Sequence, residues 1–405
     1  MPLKGSSATS PRLSGTNLER AADHNQRITL HAIRVNGSLT RVELAGITGL
    51  TAPAIANISK KLLAEGLIEE AGQRRGGRGQ PPTKLVIRPD ACHAIGINID
   101  RDHITIVLVD FAGTILARVS EDIDFALPAQ VQALYRDSID GMLKSAGVDP
   151  AKLVGIGVAV PDQLSSVDLP GRPDAYGEWE SVRMADLFSS PHGPPVFVEN
   201  DAAAAAMGEM QLGMGQRINS FFYILLTAGL GGGLVVDGNY VRGANGRSGE
   251  IGFMRTRAME SGPDQQLQSI VSLSALAKAL AAEGHALADA FEGASEAATA
   301  CLDRWIDVAA DKLVEPLAAV NCLINPAAVL MGGRLPAPLV ERLAERTAAR
   351  MQALDGIPAL APVARAALSE DAPAVGAAIL PFSHFLLPKP GALWKAPDSG
   401  GVALG

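Results

Sequence analysis

The chain of 405 residues exceeds the usual size of one domain, and its 47% hydrophobic content suffices for two or three packed units. No apolar run reaches the roughly 18 residues of a membrane span, which speaks against a membrane protein, and the first twenty residues have no apolar stretch of signal-peptide type, so a cytoplasmic address is expected. The net charge of −8 conceals a split: residues 1–88 hold 13 Lys+Arg against 6 Asp+Glu, net +7, and the remainder is net −15. A basic head on an acidic body suggests that only the head meets a polyanion; a solvated basic surface is the plainer alternative.

Residues 1–20, rich in Ser, Thr, Pro and Gly, read as a flexible arm. Over residues 21–88 the first helix is predicted from Ile28, Ala32 and Val35, which share a face, and "NG" at Asn36–Gly37 ends it. Thr40 with Glu43 makes a capping box for a short second helix, and Thr48–Gly49 turns the chain. Thr51 can cap a third helix, Pro53 suits its first turn, and Ile55, Ile58 and Leu62 face inward. This order is that of a helix-turn-helix, whose last helix enters the major groove by its N-terminal end. The following "GLIEEAGQRRGGRGQPPTKLVIRP" reads as strand, basic Gly-rich tip and strand, which is a wing.

The candidate DNA-contacting residues are Thr40, Thr51, Ala52, Asn57, Lys60, Lys61, Arg74, Arg75 and Arg78, and the expected partner is a double-stranded DNA operator. Asn57 suits a bidentate contact to adenine, with Thr51 and Ala52 near thymine methyls or phosphate. Lys60 and Lys61 meet phosphate or solvent. The wing arginines reach phosphates or the minor groove. The third helix is poor in long polar side chains, so DNA shape and the wing share the reading of sequence.

From residue 89, "CHAIGINIDRDHITIVLVDFAGTILARVSEDI" reads as a three-stranded meander. A helix over Pro128–Ser145 follows, then "LVGIGVAVP" and "PVFVEN" as short buried strands. Alternation of helices and strands predicts an α/β fold. The widely spaced Cys92, Cys301 and Cys322 form no CxxC pair and are expected to be buried and structural, with no disulfide framework or thiolate metal site.

The stretch "VENDAAAAAMGE" and the Gly-rich "GLGGGLVVDGNYVRGANGRSGEIG" are similar to the most specific segment of the ROK family (repressor, open reading frame, kinase), and the resemblance covers about residues 25 to 385. It implies a winged helix-turn-helix followed by the two-lobed actin-like (RNase H-like) sugar kinase fold. The body would run over residues 89–390, with lobes of about 89–198 plus a C-terminal helix 372–388, and 199–371; residues 391–405 form a tail. The family's kinases and repressors share this body, so fold alone does not separate them.

Three departures from the kinase pattern bear on the choice. Asn98 stands where similar kinases carry an Asp, and Asp100-Arg101-Asp102 replace a Gly-Gly-Thr turn. Two carboxylates beside a triphosphate repel it, and side chains crowd the nest of N–H groups that phosphates need. The second phosphate turn is Thr227-Ala228-Gly229 in place of Gly-Thr-Gly, so ATP is not expected as a cofactor and no enzymatic activity is expected.

The sugar half is better kept. Asn200 and Asp201 match the family's Asn-Asp pair, in which the Asp is a general base in kinases, and Glu250 matches a hydroxyl-binding acid. Gln268 stands at the sugar-binding Glu, Trp179 could stack on a sugar ring, and Gly246 lies in the same glycine segment. The plainer alternatives are that Asp201 caps a helix, Glu250 is a surface charge and Trp179 is a packing anchor. Phe253 replaces the family's zinc-binding His, and "RTRAMESGPDQQLQSIVSLSALA" has no Cys, so no metal is expected and packing alone must hold the loop. Gly332 and Gly333 resemble a nucleotide-side turn, or a plain strand-to-helix turn. These residues imply a DNA-binding regulator, expected to be a repressor, sensing a sugar or sugar derivative as a homodimer or dimer of dimers. The competing readings are an ATP-dependent sugar kinase with a DNA-binding head, and a ligand-independent regulator with a vestigial pocket.

Overall fold

The structure is a computed structural model that describes residues 18–73, 83–162, 164, 172–189, 193–257, 264–291, 295–357, 359–368 and 370–388. The chain divides into two compact units, Met1–Ile87 with Leu386–Gly405, and Arg88–Phe385.

In the first unit, α1 (Leu18–Asn36) leads to β1 (Leu39–Thr40), α2 (Arg41–Thr48), α3 (Ala52–Ala64), β2 (Ile68–Gln73) and β3 (Thr83–Ile87), and the strands form an antiparallel sheet in the order β1-β3-β2. The capping box starts α2: the Thr40 hydroxyl accepts from the Glu43 N–H and the Glu43 carboxylate accepts from the Thr40 N–H. Gly49, at φ 68°, ends it in the left-handed conformation that glycine adopts without a Cβ penalty. Leu30, Ile33, Leu44, Ile55, Leu62, Ile68 and Leu85 are buried together. The buried face of α1 is therefore centred on Leu30 and Ile33; of the three expected residues only Ala32 is fully buried. Periodicity shows that an apolar face exists, but packing partners set its centre. Thr51 holds the N-cap position of α3 without making a side-chain cap bond. Leu387 is buried, and its carbonyl accepts from Arg27 of α1.

The second unit contains two five-stranded sheets. The first has the order β6-β5-β4-β7-β8: β4 (His93–Ile99), β5 (His103–Asp110) and β6 (Ile115–Asp122) form the antiparallel meander, and β7 (Leu153–Val160) and β8 (Val196–Asn200) add in parallel. Between them lie α4 (Pro128–Ala146) and α5 (Met184–Phe188).

After α6 (Asp201–Leu212), the second sheet has the order β11-β10-β9-β14-β15, from β9 (Phe221–Leu226), β10 (Leu230–Val236), β11 (Asn239–Tyr240), β14 (Ala328–Gly333) and β15 (Val363–Arg365). A two-stranded ribbon, β12 (Arg255–Arg257) with β13 (Asp264–Gln266), stands where the sequence left a loop held by packing, so strand pairing also holds it. One face of this sheet packs on α7 (Leu273–Ala282), α8 (Glu296–Ile324) and α9 (Ala337–Gln352) around Trp305 and Leu313.

The other face, through Phe221, Tyr223 and Leu225, meets the alanines of α6. The last helix, α10 (Ala372–Phe385), lies between α6 and the first sheet. A Cβ added at Gly376 would strike the carbonyl of Ala204, and one at Gly157 would strike the carbonyl of Ala377. Small residues thus let α6, α10 and the first sheet approach backbone to backbone, which fixes the start of α6. Cys92 and Cys301 are buried as expected, but Cys322, near the C-terminal end of α8, is exposed. No helix among the described residues is long and apolar enough to cross a membrane.

Candidate functional site

The candidate functional residues form two groups, one in each unit. On α3 the inward residues are Ile55, Ser59 and Leu62, so Thr51, Ala52, Pro53, Ala56, Asn57, Lys60 and Lys61 fall on the exposed side. Lys61 lies 3.8 Å from Glu65, but both side chains are solvated, so the pair costs little to break. Thr40 requires a correction: it is 4% exposed and its hydroxyl belongs to the capping box, so it does not reach DNA through its side chain. Arg74, Arg75 and Arg78 lie outside the described residues, between β2 and β3.

The second group gathers where α6 begins. Asn200 caps α6 by accepting from the Ala203 N–H at 3.0 Å, so the helix cap is Asn200 and not Asp201. Asp201 is the first helical residue, buried, and accepts from the Ala202 N–H at 2.8 Å. Burial first, and then the charge of Asp100, push its carboxyl up to about 7, while Arg101 partly offsets them. Glu250, half-buried and no plain surface charge, is also pushed up to about 7, by burial and then by its hydrogen bond with Asp162. Asp162 sits just beyond β7, 3.0 Å from the Arg247 guanidinium, and its carbonyl accepts from Arg101.

The buried Arg101 connects this cluster with the other lobe. Its Nη1 is 3.8 Å from Asp100 and stands 3.5 Å from where a Cβ on Gly229 would lie. The two hairpin turns, at Asp100–Asp102 and Thr227–Gly229, therefore face each other across a guanidinium. Gln268 approaches the same glycine, and its amide donates to Gln266.

Trp179 is the second correction. It is 4% exposed, packs in the core of the first lobe and donates its indole N–H to the Ala126 carbonyl, so no sugar ring can stack on it. Gly246 occupies a left-handed turn position, φ 75°, and among the described residues nothing lies within 4 Å of where its Cβ would stand. Gly332 and Gly333 face Tyr223 and the Leu226 carbonyl, the close packing of a strand end.

Beside the first turn is a cavity of about 260 Å³ lined by His103, Thr105, Arg118, Ser120, Asp122, Arg334 and Glu370. Its guanidiniums are already ion-paired, Arg334 with Asp102 and Asp122, and Arg118 with Glu370 and Asp371. Asp100, Asp102 and His103 could present a cation with ligand atoms within 4.8 Å of one another. His103, however, already bonds Asp102 at 2.7 Å and Asn98 at 3.0 Å. Asp162 and Arg247 were missed from the sequence. The available signal was an acid placed immediately after a buried strand, which is where α/β folds build ligand sites.

Residues 94–383 match the model of the ROK family, and residues 23–69 match that of a winged helix-turn-helix DNA-binding domain. The chain belongs to the ROK family. Its relatives include y4fQ of Sinorhizobium fredii, 30% identical over 88% of this chain and 90% of that protein. The xylose repressor of Bacillus spizizenii is 29% identical over 57% of this chain. NagC of Escherichia coli, a DNA-binding transcriptional dual regulator, is 23% identical over 60% of this chain. The alignments with these two span about 60% of each relative's length. Among solved structures, a ROK family transcriptional regulator homologous to the E. coli MLC protein is similar with a TM-score of 0.63 at 22% identity, over 90% of this chain and 97% of that one. A ROK family glucokinase from Streptomyces griseus, solved with glucose and AMPPNP, has a TM-score of 0.57 at 23% identity, over 71% of this chain and 98% of that one. A winged helix-turn-helix head on a ROK sugar-kinase-like body is thus the architecture of the chain.

Proposed function

We propose that this ROK protein is a sequence-specific DNA-binding repressor whose body binds a sugar or sugar derivative without phosphorylating it. The observation that carries the regulator over the kinase reading is Arg101 lodged between the two hairpin turns. A triphosphate needs open backbone N–H groups at such turns, and here a buried side chain occupies the gap between carboxylates. ATP does not fit these residues. The relatives named as a xylose repressor and as a DNA-binding transcriptional dual regulator support the regulator reading.

Asp201 and Glu250 then accept hydroxyl hydrogen bonds instead of removing a proton, and Asn200 fixes the helix that presents Asp201. Exposed Asn57, Ala52 and Thr51 face the major groove, with Lys60, Lys61 and the wing arginines on phosphate. Ligand in the body alters lobe closure and biases the heads of a two-fold dimer on half-sites.

The test incubates the purified chain with Mg-ATP and a panel of aldoses and amino sugars, and in parallel with the duplex upstream of its own gene. DNA binding without sugar-dependent ADP release is expected. Sugar-dependent ADP release would restore the kinase reading.

A further inference from the structure

The chain passes between the two units twice, at Ile87–Arg88 on the way into β4 and at Phe385–Leu386 where α10 ends. The residues after α10 therefore group with the head. Leu387 is 1% exposed, and its carbonyl accepts at 3.1 Å from Arg27 of α1, 360 positions earlier in the sequence. A buried leucine with a bonded carbonyl is an anchored residue, unlike the fraying end of a domain.

The two elements at these crossings are packed on each other. A Cβ added at Gly96 of β4 would strike the Ala374 carbonyl of α10, so β4 and α10 meet backbone to backbone. Helix α10 meets α6 in the same way: besides the approach of Gly376 to the Ala204 carbonyl, a Cβ at Gly208 of α6 would stand 3.1 Å from the Gly376 Cα and 3.2 Å from the Ala372 carbonyl oxygen. A second tie joins α6 to the segment that enters α10. The Glu209 carboxylate, 0% exposed, accepts from the Ala367 and Leu368 N–H groups, each at 2.9 Å.

Long side chains absorb a small displacement by changing rotamer, but backbone against backbone has nothing to rotate, and a close-packed interior passes the shift on. Helix shifts of about 1–2 Å are a common unit of protein switching. Helix α6 begins with Asp201 in the candidate ligand site, its seam with α10 is made of backbone and small residues, and the chain runs from α10 into Leu387 of the head. We infer that α10 carries the state of the body to the DNA-binding head, with Leu387 as the anchor through which the head follows it. The inference rests on the regulator reading above and names the path that its signal takes.

The test needs no effector. Gly208→Ala puts a methyl into the α6–α10 seam, where the neighbours must give by a few tenths of an ångström, and so displaces the helices by its own bulk. Affinity for the duplex upstream of the gene is measured for the full-length parent, Gly208→Ala, Leu387→Ala and the double variant. Gly208→Ala is expected to change DNA affinity by about threefold or more, within the range that substitutions along coupled networks produce, and to lose that effect in the Leu387→Ala background, a non-additivity that the cycle reads directly. Unchanged affinity in a folded Gly208→Ala chain, or the same change with and without the anchor, would overturn the inference. If Leu387→Ala unfolds the head, Arg27→Gln replaces it, loosening the anchor carbonyl while keeping the leucine. If Gly208→Ala does not fold, Glu209→Gln replaces it, keeping one acceptor oxygen while loosening the same seam. The sugar fails separately: an intact cycle in a chain whose DNA affinity ignores every aldose and amino sugar of the panel would uphold the path and remove the sensor. A folded parent that binds no DNA would overturn both.

Discussion

Asp201, the proposed ligand acid, has a raised pKa whose effect on stability can be measured. Its carboxyl goes from an ordinary 3.8 to about 7 in the folded chain, so between those pH values the native state keeps a proton that the unfolded chain has released. Stability therefore falls as pH rises through that window. One unit is about 1.4 kcal/mol, so up to about 4 kcal/mol is at stake. Asp201→Asn removes this term, and its melting temperature relative to the parent is expected to be higher at pH 8 than at pH 5.5; a constant difference would show that Asp201 does not titrate there. Trp179→Ala should cost about 3–5 kcal/mol in urea unfolding by emptying a core site, without selectively altering ligand affinity. At this scale the sequence disclosed what a motif can carry. Asn200, Asp201 and Glu250 were legible as candidates because their spacing is a pattern, whereas the burial of Trp179 depends on the distant Ala126 carbonyl and that of Thr40 on its own capping box, and no spacing records either. Asp162 was missed because one acid after a strand resembles any loop carboxylate.

Helix α3 joins the charge of the head to sequence reading. Asn57 and Lys60 stand on its exposed side, and their substitutions separate two kinds of contact. Asn57→Ala should cost about 1–3 kcal/mol on the best site and relax specificity there, read by competition between operator variants. Lys60→Ala should weaken all sequences alike and reduce the salt slope by about 1; an unchanged slope would remove Lys60 from the phosphate contacts. The elements of the head were legible because caps and a glycine turn mark their ends, and the meander because polar breaks separate its strands. The centre of α1 was not, since Leu30 and Ile33 gain their role from α2 and α3. Helix α10 makes the packing argument sharpest: Gly376→Ala places a methyl against the Ala204 carbonyl, and a loss of about 1–3 kcal/mol or more in stability is expected from overpacking.

On the scale of the whole molecule, the charge asymmetry of the sequence follows the division into a basic head and an acidic ROK body. The fold was legible because the family's glycine segment is specific. The proposed preference for a sensor over a kinase starts in the sequence from the departure at Asp100–Asp102, and in the structure Arg101 lies beside Gly229. The central claim is that one chain couples a polyol site at Asp201 to DNA binding. The most direct measurement is fluorescence anisotropy of the duplex upstream of its gene, titrated with the parent chain and with Asp201→Asn, with and without the sugar panel. One polyol is expected to change the DNA affinity of the parent by about tenfold, within the usual range of allosteric coupling, while Asp201→Asn binds DNA equally well but no longer responds. DNA affinity indifferent to every polyol, or an Asp201→Asn response equal to that of the parent, would contradict it.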